Sequence, residues 1–280
     1  WNWAKFMYIT ATIMRLRLLW LRKGFNVATG TIPLQMPFIL FNSVNEDDPF
    51  YDFRVRQAVC HAIDQQALCD AIYYGYIMPV NQFAPSNSAY YSDDVVGYDY
   101  DLNKAKALLA EAGYADGFST TLQAKNETTI VACVTAIQAQ LAEIGIDVEL
   151  DIIEGGDYGQ ALTGWDSGLF FHPTGLPAAI INQANSMWRQ GLSGIVLGLT
   201  SVMRPDDLND VILSAVSAKT DEEAQIYMQQ AQVMMIDKYC MFWPIGVGYN
   251  TYVKTPKLHD DGIGDITYQM STLWTAWLEK

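Results

Sequence analysis

Between residues 127 and 152 the hydrophobic period of the chain changes once, and that change limits the folds open to it. Residues 127–144 carry apolar side chains at helical spacing and stop at Gly145. Ile146, Val148, Leu150 and Ile152 then alternate with Asp147, Glu149 and Asp151, the pattern of a half-buried strand. A helix running straight into such a strand calls for a sheet with helices packed on it. The same order recurs elsewhere. An apolar strand over 38–42 precedes a helix over 53–62 capped by Asp52, and Asp64 caps a second helix carrying Leu68, Ala71 and Ile72 that ends near Gly75. Residues 76–100 lack a period, and a loop of that length is either functional or covers a surface. Asp101 opens a helix to Ala112, stopped by Gly113, and a strand over 118–124 leads back to 127–144. Later come a strand near 166–171, an irregular stretch over 173–200 and a helix from Pro205 to about 218. The capping box of Thr220 and Glu223 opens a further helix to about 237. Strands near 241–253 and a short helix over Trp274–Leu278 close the chain, and a first helix is expected over 10–23. Strands alternating with helices make the class α/β, or α+β with a mixed sheet.

Composition then excludes several functions. The 280 residues are 50% hydrophobic and 17% charged, enough for one large domain or two and too apolar for global disorder. The 17 basic and 31 acidic side chains leave a net charge of −14, which repels phosphates and excludes a general nucleic-acid binder. Anionic membranes are disfavoured for the same reason. The charge is uneven: Lys5, Arg15, Arg17, Arg22 and Lys23 lie in residues 1–45, which hold no acid. This segment reads as part of a neighbouring domain in preference to a membrane-surface helix. Arg15 and Arg17 interrupt the apolar run Ile9–Leu21, so it is not a spanning segment.

Chemistry-bearing motifs are sparse. Cys60, Cys69, Cys133 and Cys240 form no C-x-x-C pair and read as buried thiols, with a disulfide left open. His61, His172 and His259 lack metal-ligand spacing. His61 falls on a core-facing helix position, and His259 beside Asp260 and Asp261 reads as a solvated turn. His172 precedes Pro173-Thr174-Gly175 at a strand end, where ligands often sit. No nucleophile elbow, phosphate loop or dinucleotide fingerprint occurs, Gly155-Gly156 reads as a turn, and nothing calls for a cofactor. Carboxylates are plentiful, but none stands in an obvious apolar setting, so a carboxylate-dependent hydrolase is a minor reading.

Residues 38–64, FILFNSVNEDDPFYDFRVRQAVCHAID, are more specific. A strand ending in Phe41-Asn42 is followed by Pro49, Asp52 and a Val55-Arg56-Gln57-Ala58 helix that ends in Ala62-Ile63-Asp64. This segment resembles the signature of the family 5 extracellular solute-binding proteins, the dipeptide, oligopeptide and nickel receptors of ABC importers. Residues 98–118, 137–150, 163–171 and 221–245 resemble later segments of that family in the same order, so the likeness covers roughly 24–280.

The resemblance implies a two-lobed periplasmic-binding-protein-like fold, of which this chain looks like the C-terminal half. Residues 43–245 would form most of one lobe, and 1–42 and 246–280 two pieces of the other. Phe38–Asn42 and Pro244–Tyr249 would be the crossing segments. It implies a non-catalytic receptor that closes on a small solute or peptide and delivers it to an ABC permease, at the periplasmic or extracellular face and held there by a lipid anchor. A signalling or partner-binding receptor domain is the other non-enzymatic reading. Ligand contacts are expected around the 166–171 strand, from Phe170, Phe171 and His172, with Trp165 and Trp188 beside them. Peptide receptors of the family commonly carry a Trp and an Asp just after that strand, the Asp pairing with the peptide amino group. Residues 171–176, Phe-His-Pro-Thr-Gly-Leu, hold no acid, which suits a less charged or differently anchored ligand.

Overall fold

The computed structural model describes residues 7–9, 17–166, 168–173, 180–187, 199–259 and 277–279. The chain opens with β1 (Met7–Ile9), α1 (Arg17–Arg22), β2 (Asn26–Gln35) and β3 (Phe38–Phe41). Helices α2 (Phe53–Ala62) and α3 (Gln65–Ala71) follow, then the short β4 (Ile77–Met78). Next come α4 (Leu102–Glu111), β5 (Phe118–Lys125), α5 (Thr128–Ala142), β6 (Ile146–Ile153), α6 (Gly155–Ala161) and β7 (Leu169–His172). The last part holds α7 (Ile180–Met187), α8 (Asp206–Ser217), α9 (Asp221–Val233), β8 (Phe242–Pro244), β9 (Val247–Lys254), β10 (Leu258–His259) and β11 (Trp277–Leu278). None of the described helices is long and apolar enough to cross a membrane.

Side-chain chemistry sets the helix starts. The Asp52 carboxylate accepts from Arg54 N at 2.8 Å, Asp64 from Ala67 N at 2.9 Å, and Asp101 from Asn103 N and Lys104 N. Thr220 Oγ1 accepts from Glu223 N at 3.2 Å. Glu223 reaches back one residue beyond the cap, to Lys219 N at 2.9 Å. Gly113 and Gly145 end α4 and α5 with φ of +94° and +88°. Gly117 admits no other residue, because an added Cβ would lie 1.9 Å from the Gly145 carbonyl oxygen. That approach starts β5 and β6 together, Phe118 opposite Ile146.

Two sheets result. In the first, β9 lies between β1 and β2, all antiparallel, and β4 also pairs with β9. The second has the order β6-β5-β7-β3-β8. There β5 runs parallel to β6 and β7, while β3 runs antiparallel to β7 and β8. Leu122 pairs with Leu169 and Gln123 with Phe170, so alternate residues divide this sheet into two faces. One face, with Leu122, Ile146 and Val148 buried, is covered by α5. The other carries Phe38, Phe170 and His172. All four residues of β3 are buried, as befits a strand covered on both faces. The long 76–100 segment is pinned down: Gln232 accepts from Phe83 N and Ala84 N, and Asp237 from Val96 N and Gly97 N.

Several local expectations change. The strand expected at 166–171 starts at Leu169 and takes in His172, because Gly168 turns the chain with φ of +77°. Gly155-Gly156 open helix α6 and do not form a turn. Trp277-Leu278 form a strand against β10, where helix was expected. His259 lies in that ladder, stacked on Trp277 at 4.3 Å, and not in a solvated turn. The first helix is described over Arg17–Arg22, and residues 10–16 lie outside the described residues.

Candidate ligand-binding surface

The chain passes from the first sheet to the second between β2 and β3, and returns between β8 and β9. The two crossings lie side by side, with Ile245 N donating to the Pro37 carbonyl at 2.8 Å. Gln65 Nε2 ties a third segment to them, donating to the carbonyls of Val80 and Pro244. Phe38 pairs with His172 on one side and Pro244 on the other, so the carboxyl end of β7 reaches this crossing edge. Carboxyl ends of parallel strands are where open α/β sheets bind ligands.

The expected site residues divide by burial. Phe170 has no exposed surface and packs against Tyr158 and Trp165, with ring centroids 5.5 Å and 5.0 Å away. Phe171 is equally buried and pairs with Ile39 in the ladder. In this conformation both are core, because the covered sheet leaves them no solvent-facing side. His172 is 5% exposed and lies parallel to the Phe38 ring at 4.8 Å. It is the last residue of the strand and not the first of a loop. Burial pulls its pKa down to about 4, so it is neutral at pH 7. Trp188 lies outside the described residues.

Trp165 is as buried as His172, at 5% exposed, but it stands beside open space. It lines a groove of about 390 Å³ on the Phe170 face of the sheet, over β5 and the edge strand β6. Gln123 and Asp151 form the floor, joined by a 2.8 Å hydrogen bond, and Gln123 Oε1 is buried without a partner. Asp157 and Gln160 of α6 and Asp166 form the walls. The lining holds three carboxylates and no basic side chain, so it suits hydrogen-bond donors and not anions.

The loop carrying Trp165 is held from distant parts of the chain. Asn42 Nδ2 donates to the carbonyls of Trp165 and Asp166 at 3.1 and 2.8 Å. Ser201 Oγ accepts from Trp165 N at 2.7 Å and donates to its carbonyl at 2.5 Å. Asp48 Oδ2 accepts from Gly168 N at 2.7 Å. A Cβ on Gly168 would stand 2.3 Å from the Thr121 carbonyl oxygen, so only glycine lets the loop enter β7 so close to β5. Sequence reasoning missed Gln123, Asp151, Asp157, Gln160 and Asp166 as a group. The available signal was Asp151, at the carboxyl end of an alternating strand.

The family model for bacterial extracellular solute-binding proteins, family 5, matches residues 9–189. The chain belongs to this family. Among curated family 5 relatives, the glutathione-binding protein GsiB of Salmonella choleraesuis is 36% identical over 135 residues, covering 47% of this chain and 26% of that protein. The heme-binding protein A of Haemophilus influenzae is 35% identical over 143 residues, 49% of this chain and 24% of the relative. The alignments thus span about a quarter of those relatives. Among solved structures, the periplasmic binding protein DppA of Helicobacter pylori, in complex with the peptide STSA, superposes with a TM-score of 0.84 at 23% identity. That match covers 98% of this chain and 52% of DppA, and carries the periplasmic-binding-protein-like mixed α/β fold. Within the family 5 signature, Asn42 acquires a physical task, anchoring the Trp165 loop to the end of β3.

Proposed function

We propose that this chain is part of an extracytoplasmic solute receptor that serves an ABC importer, with the ligand held where the chain crosses between its two sheets. The observation that carries the reading is the adjacent pair of crossings at Pro37 and Ile245, joined by a hydrogen bond. Two strands passing together between two sheets make a hinge, and hinge closure around a solute is how such receptors signal occupancy to a permease. Family membership and relatives that are binding proteins, one for glutathione and one for heme, support the same reading. In this proposal residues 43–245 form one lobe together with β3, which pairs with β7 and β8, and the rest of 1–42 with 246–280 contributes to the other. His172 and Pro173 meet the ligand at the carboxyl end of β7. Trp165 contributes from the groove wall, and Phe170 and Phe171 stiffen the strand from within the core.

The test uses the complete receptor. Native mass spectrometry should identify a co-purified small molecule, and small-angle scattering should record a smaller radius of gyration when it is bound. In that receptor His172→Ala should weaken binding, while Phe171→Ala should act through stability, by about 3–5 kcal/mol. A receptor that stays equally extended with a proven ligand would remove the hinge reading. Turnover of a glycoside or peptide panel, lost on substituting one carboxylate, would replace the receptor by a hydrolase.

A further inference from the structure

Two of the four cysteines meet across 180 residues of sequence. The Cys60 and Cys240 sulfurs lie 3.4 Å apart, both fully buried, one in the last turns of α2 and the other just before β8. Their backbones are held firmly. Cys240 N donates to Ile236 O at 3.0 Å, and its carbonyl accepts from Arg56 Nε at 3.0 Å, itself one turn from Cys60 on α2. Cys240 has φ of +43°, a left-handed position at a helix end where glycine or asparagine is usual. A side chain kept there against that preference has a reason to be there, and what this one touches is a second thiol. Among the described residues no group of three or more His, Cys, Asp and Glu could hold a metal with the pair. The other two cysteines have different neighbours: Cys69 donates to the Ile245 carbonyl at 3.5 Å, and Cys133 lies beside Tyr73.

We infer that Cys60 and Cys240 form a disulfide in the exported protein, tying α2 to the turn that enters the returning crossing. Closing the bond needs the sulfurs to approach from 3.4 Å to about 2 Å. Two thiols lose two protons and two electrons. A glutathione-type or oxidoreductase disulfide accepts them, forming a mixed disulfide with one cysteine and leaving as two thiols when the other attacks. Exchange takes place while the chain is still folding. In a chain folded before exchange both sulfurs are sealed from reagents, and burial pushes the Cys60 thiol well above its usual pKa.

The test does not depend on how the protein is exported. The reduced, denatured chain is refolded in a glutathione redox buffer, quenched with acid, blocked with N-ethylmaleimide under denaturing conditions and digested. The expected result is blocking of Cys69 and Cys133 alone, with one cross-linked peptide pair joining Cys60 to Cys240. That bond should resist reductant until denaturant is added. Reduction should lower the melting temperature of the oxidised wild type by several degrees and leave the Cys60→Ala/Cys240→Ala double variant unmoved. Blocking of all four cysteines, or a bond that includes Cys69 or Cys133, would overturn the inference without touching the receptor reading.

Discussion

Arg56 is only 2% exposed, and its guanidinium is spent on backbone carbonyls: those of Phe50, Tyr51, Tyr239 and Cys240, at 2.7 to 3.0 Å. The planar fork of donors joins the 3-10 turn before α2 to the end of the π-helical turn after α9. Lysine has a single point of charge and cannot reach all four. Arg56→Lys should therefore cost about 3 kcal/mol by leaving buried acceptors unmet. By the usual scaling for a chain of this length that lowers the melting temperature by roughly 5 °C, readable by calorimetry. His172 supplies a pH dependence. Its folded pKa is depressed to about 4 by burial, from an ordinary 6.5, so the unfolded chain binds the extra proton first. Stability is fully present above pH 6.5, falls as pH drops from there to 4, and levels off below, a loss of about 3 kcal/mol from this group. His61, depressed mainly by burial as well, acts in the same direction. Denaturant midpoints across that range should be flatter for His172→Asn than for wild type. An equal slope would mean that His172 is protonated in the folded protein.

At the scale of single elements, helix starts are local devices whose worth can be measured one at a time. Thr220 caps α9 through Glu223 N, and Thr220→Ala should cost about 1 kcal/mol with an unchanged dependence on denaturant. Asp52 caps α2 and is gripped by its own Arg54, Nη2 to Oδ2 at 2.6 Å, while Arg54 Nη1 donates to the Glu111 carbonyl at the end of α4. Asp52→Ala should thus cost about 1 kcal/mol from the cap and somewhat more where α2 meets α4. The Arg54 hydrogen bond holds the Asp52 carboxyl below its ordinary pKa, so that contribution is lost as pH falls through the lowered value. A denaturation midpoint unmoved by Asp52→Ala would show that water replaces the carboxylate at no cost.

For the whole molecule, protection should follow the layers. The eight-residue parallel ladder of β5 and β6 is covered by α5, whereas β10 and β11 share a two-residue ladder whose Trp277 and Leu278 are 50% and 53% exposed. Hydrogen exchange should find the amides of β5, β6 and β3 slowest and those of β10 and β11 among the fastest. Equal protection in both places would mean that further chain covers the small ladder. The crossings make a second prediction at this scale. Gln65 joins the Val80 and Pro244 carbonyls beside the two crossings, so under the proposed receptor reading Gln65→Ala should change the population of a closed form more than it changes stability. Scattering with and without ligand reads the first effect, and thermal melting the second.

Much of the fold was legible because its rules are local. Asp52, Asp64, Asp101 and Thr220 act on amides two or three residues away, and Gly113 and Gly145 on turns they belong to, so the residue and its effect share one stretch of sequence. The alternation over 146–152 likewise declared a half-buried strand. The strand that carries the expected ligand contacts was less legible. Its start is set by Gly168, where only glycine fits because a Cβ would stand 2.3 Å from the Thr121 carbonyl oxygen. Whether Phe170 met solvent depended on Tyr158 and Trp165 closing over it, which no alternation pattern contains. The groove combines β5, β6, α6 and a loop held by Asn42 and Ser201, and the thiol pair joins residues 180 apart. The sequence by itself determined most of the elements, their caps and the family they belong to. Which side chains face each other was decided by the tertiary structure, since strand register and helix packing, and not spacing along the chain, bring distant residues within contact distance.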